Sequence, residues 1–135
     1  MKKVLILCTG NSCRSIIAEA LINKLIDGVK AYSSGVKPSL HVNKNAMKIL
    51  KDEGIWDESY HSKALDEVIN IKFDLVVTVC DNANESCPVF PVATKVIHVG
   101  FEDPDGKQLN EFKKTFNKIK VKLLPIIKDE LNVAK

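Results

Sequence analysis

Nothing in this chain approaches the roughly 20 consecutive apolar residues that span a bilayer, although 45% of its 135 residues are hydrophobic. The opening run Val4-Leu5-Ile6-Leu7 is too short for the apolar core of a secretion signal, and polar sequence follows it directly. Aromatic residues make up only 6% of the chain and none is interleaved with a basic cluster, which argues against a nucleic-acid surface. The net charge is a mild +3, and the lysines gather in the C-terminal third, where they read as the wet face of a helix. Internal repeats, low-complexity tracts and linkers are missing. One domain over residues 1–135 is therefore expected, large enough for an ordinary core. These absences point to a cytoplasmic monomer with no membrane or nucleic-acid partner.

Cysteine is sparse at four copies. In a cytoplasmic chain such thiols speak for catalysis, redox chemistry or metal binding rather than permanent cross-links. Cys80 and Cys87 lie seven apart, wider than the usual zinc-knuckle pairs, and Cys8 is committed to a different task. No zinc site is expected.

That task is written in residues 8–15, which read CTGNSCRS. An apolar run the size of Val4 to Leu7 reads as a buried strand. After the turn, Ile16, Ile17, Ala20 and Leu21 recur at helical spacing. The motif therefore sits where a strand ends and a helix begins, and a helix N-terminus offers unpaired N–H groups and the positive end of a dipole. Five residues between Cys8 and Arg14 are enough for the backbone to curl around one tetrahedral oxyanion, with N–H groups of Thr9, Gly10, Asn11, Ser12, Cys13 and Arg14 pointing inward. Gly10 adopts positive φ at little cost, and Asn11 tolerates it better than most residues. Arg14 supplies a planar fork for two oxyanion oxygens. The same field favours thiolate over thiol at Cys8, and Ser15 is positioned to donate to its sulfur. A nucleotide-binding P-loop is excluded because no Gly-Lys-Ser/Thr follows Gly10.

Strands are predicted again over 31–33, 74–79 and 95–99. Helices are predicted behind an Asn43 cap, over 65–70, and over 109–133, with a kink or break at Pro125. This alternation argues for an α/β fold: an open, mostly parallel four-stranded sheet with helices on both faces. Ligands in such sheets bind beyond the carboxyl ends of strands. Cys8 and Cys80 each follow a buried strand and should emerge on that one edge. Cys80 and Cys87 bracket a polar loop, CDNANESC, and could join in a disulfide if the loop brings them close. Three thiols together can pass oxidising equivalents by exchange. At the same edge lies Glu102-Asp103-Pro104-Asp105-Gly106. Pro104 holds Asp103 extended, which makes it the leading general acid for an oxygen leaving group, with Glu102 and Asp105 as rivals.

The stretches LCTGNSCRS with Ala18-Glu19, YSSGV (residues 32–36), DLVVTVC (74–80), Cys87-Pro88 and GFEDP (100–104) resemble the thioredoxin-coupled arsenate reductases, which share a fold with the low-molecular-weight protein tyrosine phosphatases. The resemblance runs nearly end to end, and the Cys80/Cys87 pair is similar to the reductase branch in particular. It implies that Cys8 attacks arsenate, that Cys80 then attacks Cys8 and releases arsenite, and that Cys87 moves the disulfide outward for reduction by thioredoxin. It also implies a potassium site at Asn11, Glu19 and Ser34, with Ala64 standing where the family has an aspartate, and no other cofactor. Val99 and Glu102 depart from the family's usual Trp and Asp. Two other readings stay open, since the loop alone does not separate arsenate from phosphate: a tyrosine phosphatase, and a non-catalytic oxyanion or redox sensor.

Overall fold

In a computed structural model, which describes residues 1–80 and 94–133, four strands form one parallel sheet in the order β2-β1-β3-β4. The chain runs β1 (Lys2–Cys8), α1 (Arg14–Leu25), β2 (Val29–Gly35), α2 (Lys44–Asp52), a 3-10 turn (Leu65–Glu67), β3 (Leu75–Thr78), β4 (Val96–His98) and α3 (Leu109–Leu131). The central strand β1 is flanked on both sides, and Val4 to Leu7 are all fully buried. Each such side chain contributes about 1.5–3 kcal/mol by leaving water.

The two sheet faces are covered unequally. Val4, Ile6, Ala31 and Val77 face a large core shared by all three α-helices. Leu5, Leu7 and Val76 face a smaller cluster built from Val68, Phe73 and the residues around the 3-10 turn. The helix predicted over 65–70 is thus a single 3-10 turn. Its few residues cannot offset the cost of nucleating an α-helix, and its apolar residues are instead drawn down onto the sheet.

The Asn43 cap forms as expected, its side chain accepting from the N–H groups of Asn45 (2.8 Å) and Ala46 (3.4 Å). Gly54, with φ +73°, lies two residues past the end of α2. α3 buries the expected stripe of Phe112, Phe116, Ile119, Leu123 and Ile127, and it runs through Pro125 as one helix. The carbonyl that Pro125 cannot pair belongs to Val121, a residue 75% exposed at the surface. Among the described residues no helix is long and apolar enough to cross a membrane.

Candidate active site

Because the strands are parallel, β1, β3 and β4 all deliver their carboxyl ends to one edge. Cys8 closes β1 and Arg14 opens α1, so residues 9–13 are all that separates strand from helix. Residues 8–14, with Ser39, Asp103 and Asp105, line one cleft of about 180 Å³.

The loop is held from outside. The carbonyl of Thr9 accepts from the N–H of Lys37 (3.0 Å), that of Gly10 from Ser39 (2.9 Å) and that of Ser12 from Asn43 (2.9 Å). The carbonyl of Asn11 accepts from the Ser62 hydroxyl at 2.7 Å. With four successive carbonyls tied outward, planar trans peptides turn the following N–H groups inward. The N–H of Asn11 does so and donates to Cys8 Sγ at 3.3 Å. Asn11 alone in the loop takes positive φ, at 50°, and Gly10 does not. Asn11 earns its place through its side chain, whose Nδ2 donates to Ser15 Oγ (2.8 Å) and whose Oδ1 accepts from the N–H of Lys63 (2.9 Å). Ser15 Oγ in turn lies 3.0 Å from Cys8 Sγ. The sulfur is 2% exposed as part of Cys8 and so meets a built set of donors rather than water.

Gly35 makes this loop possible, a role that the sequence alone did not show. It pairs with Cys8 at the end of β2. A Cβ at this position would lie 2.5 Å from the Thr9 carbonyl oxygen and 3.0 Å from the Asn11 nitrogen. The tie residues at 37, 39, 62 and 63 were missed as well. No local sequence signal marks them.

Arg14 is 3% exposed. Its Nη1 donates to the Phe101 carbonyl at 3.0 Å and its Nη2 lies 3.5 Å from Asp103 Oδ2. Asp103 Oδ1 accepts from Cys13 Sγ at 3.3 Å and from the Asp105 N–H at 3.0 Å. The two rival acids are occupied elsewhere: Glu102 with Lys107, and Asp105 with the Asn43 side chain at 2.7 Å. Burial, reinforced by the Asp103 carboxylate, drives the Cys13 thiol far above the ordinary thiol range. Cys13 is therefore a neutral donor that holds Asp103 in place.

Cys80 lies on the same edge. The Val79 N–H donates to the Leu7 carbonyl at 3.1 Å, which carries Cys80 alongside the start of the Cys8 loop. Cys80 is fully buried and disulfide-bonded. Cys87 lies outside the described residues.

The residues expected for potassium do not fit that ion. Ser33, not Ser34, faces α1, and its hydroxyl donates to Glu19 Oε1 at 2.5 Å. Consecutive strand residues point to opposite faces, and the Ser34 hydroxyl is buried without a hydrogen-bond partner among the described residues. Ala64 offers no side-chain oxygen. The ammonium of Lys63 lies close by, 3.5 Å from the Ser33 Oγ that donates to Glu19. Burial pushes the Glu19 carboxyl above its usual range while Lys63 pulls it back.

Similarity to known proteins accords with this geometry. Arsenate reductase 1 of Staphylococcus epidermidis is 43% identical over 122 residues, covering 88% of this chain and 90% of that one. An arsenate reductase structure from Archaeoglobus fulgidus superposes with a TM-score of 0.83 at 31% identity, over 92% of this chain and 98% of that one. A low-molecular-weight protein tyrosine phosphatase from T. tengcongensis superposes at 0.78 and 26% identity, over 96% and 99% of the two chains. Residues 3–132 match the low molecular weight phosphotyrosine protein phosphatase family, and the chain belongs to that family.

Proposed function

We propose that this protein reduces arsenate to arsenite, using Cys8 as nucleophile and Cys80 and Cys87 as a disulfide relay that thioredoxin resets. The oxyanion is held by the inward N–H groups of residues 9–14 and by Arg14. The Cys8 sulfur attacks arsenic and forms an S–As bond. One arsenate oxygen leaves as water: the proton lost by the Cys8 thiol passes through the Asp103 carboxylate to that oxygen. Cys80 then attacks the Cys8 sulfur. A Cys8–Cys80 bond forms, the S–As electron pair returns to arsenic, and As(V) departs as As(III). Cys87 attacks Cys80, restoring the Cys8 thiol and moving the disulfide away from the recessed loop. A dithiol in thioredoxin then reduces the Cys80–Cys87 bond by the same exchange chemistry.

Cys80 carries this reading. A phosphatase needs one nucleophile and an acid, whereas a disulfide-forming cysteine at the end of the strand beside the nucleophile's own suits a reaction in which Cys8 must be released from a redox adduct. The relatives named arsenate reductase support the same choice. Phosphatase activity is a secondary expectation, because the family shares the loop and the acid. The cleft lining contains no aromatic ring among the described residues, so an aryl phosphate finds nothing to stack on. The test is a single turnover with arsenate and reduced protein, quantifying arsenite. Stoichiometric arsenite from the intact protein and none from Cys8→Ser is the expected result. Fast hydrolysis of an aryl phosphate with no arsenite would reverse the assignment.

A further inference from the structure

Two opposite charges are buried directly behind the anion loop, and neither touches the cleft. Glu19, on α1, is 6% exposed, and Lys63 is 8% exposed. They meet at one hydroxyl: Ser33 Oγ donates to Glu19 Oε1 at 2.5 Å and lies 3.5 Å from Lys63 Nζ. The ammonium is fixed further by the His61 carbonyl at 2.9 Å. The backbone of the same residue grips the loop from behind. The Lys63 N–H donates to Asn11 Oδ1 at 2.9 Å, and its carbonyl accepts from the Gly35 N–H at 2.9 Å. From Asn11 the chain of contacts runs to Ser15 and then to Cys8 Sγ.

We infer that the Lys63 ammonium is a built-in monovalent cation for Glu19, a positioning residue that sets the Cys8 loop through Asn11 and makes this protein indifferent to potassium. A buried carboxylate needs a counter-charge with satisfied hydrogen bonds, since a lone buried charge is strongly unfavourable. A diffusible ion could serve, and so can an ammonium delivered by the chain. The tethered ammonium is part of the chain and demands no dissolved ion. It also excludes one, because a second cation beside Lys63 would face like charge. Ala64, with no side-chain oxygen to offer a metal, fits this arrangement. The inference needs no assumption about arsenate, and its test uses no substrate.

The measurement is the rate of Cys8 alkylation by iodoacetamide at neutral pH, with the thermal unfolding midpoint alongside, in potassium, sodium and choline buffers of equal ionic strength. Wild-type protein should give the same rate and midpoint in all three. Lys63→Met should alkylate about tenfold more slowly in choline, the size of one coupled link in a hydrogen-bonded network. The double variant Lys63→Ser/Ala64→Asp should recover rate and midpoint in potassium and not in choline. A wild-type protein that responds specifically to potassium overturns the inference, as does Lys63→Met reacting at the wild-type rate in choline. Should Lys63→Met fail to fold, the cation series decides on the other two proteins. An indifferent wild type with a potassium-rescued double variant supports the inference, and any other pattern overturns it.

Discussion

Replacing Gly35 with alanine should damage the oxyanion loop without adding or removing a polar group. The new Cβ would sit 2.5 Å from the Thr9 carbonyl oxygen, whereas ordinary contact begins at 3.4 Å, so backbone must retreat by about 0.9 Å. The Asn11 nitrogen and Gly10 carbon, at 3.0 and 3.1 Å, block the sideways route. Overpacking of this kind costs about 1–3 kcal/mol, and the entropic gain from losing a glycine returns about 0.4–1 of it. A net loss of about 1–2 kcal/mol is expected in urea unfolding. The functional loss should be larger, because a displacement near 1 Å at reacting groups costs on the order of 100-fold in rate. Gly28→Ala is the control. Its φ of +81° makes alanine strained there, but nothing lies within 4 Å of the added Cβ, so stability should fall while arsenate turnover per folded molecule stays unchanged. A Gly35→Ala protein as stable and as active as wild type would refute the close seat of the loop on β2.

Ser15→Ala removes the hydroxyl 3.0 Å from Cys8 Sγ and strands the Asn11 Nδ2 donor. Loss of the hydroxyl beside the attacking Cys8 sulfur predicts alkylation slowed about 10–100-fold at neutral pH, and an unchanged rate would remove Ser15 from the site. Asp103→Asn should slow formation of the Cys8 adduct much more than it weakens oxyanion binding, measured by stopped-flow and by phosphate competition. Equal losses in both would return the acid role to Glu102 or Asp105. Cys13 gives a pH signature. Its folded thiol is held far above the usual range by burial and Asp103, so above about pH 9 the unfolded chain releases a proton that the native chain keeps. The unfolded state then binds fewer protons, and stability falls as pH rises, by at most about 1.4 kcal/mol per pH unit. Urea titrations between pH 8 and 10 should show that slope reduced in Cys13→Ala, and identical slopes would contradict the buried neutral thiol.

The parts of the site legible in the sequence were those set by local chemistry. Four apolar residues before a Gly/Asn/Ser turn specify a buried strand feeding a helix, and that alone puts Cys8 and Arg14 at the two ends of a loop. Pro104 marks the position of Asp103 in the same way. What stayed hidden depends on long-range register. The groups that pin the loop carbonyls come from residues 37, 39, 43 and 62, and nothing local announces that they will arrive there. The Ser33/Ser34 choice has the same origin. A one-position difference along a strand moves a side chain to the other face, and which face meets α1 is fixed only when β2 pairs with β1. Lys63 drew no reading from the sequence; it is buried near Glu19, which lies 44 positions away in the chain.

The central claim is a redox relay, and coupled turnover measures it most directly: arsenate-dependent NADPH oxidation with thioredoxin and thioredoxin reductase, run on the intact protein and on Cys80→Ser. The relay predicts sustained oxidation by the intact protein and none by Cys80→Ser, which should stall with Cys8 held in its arsenic adduct. Sustained turnover by Cys80→Ser, or none by the intact protein, would contradict it.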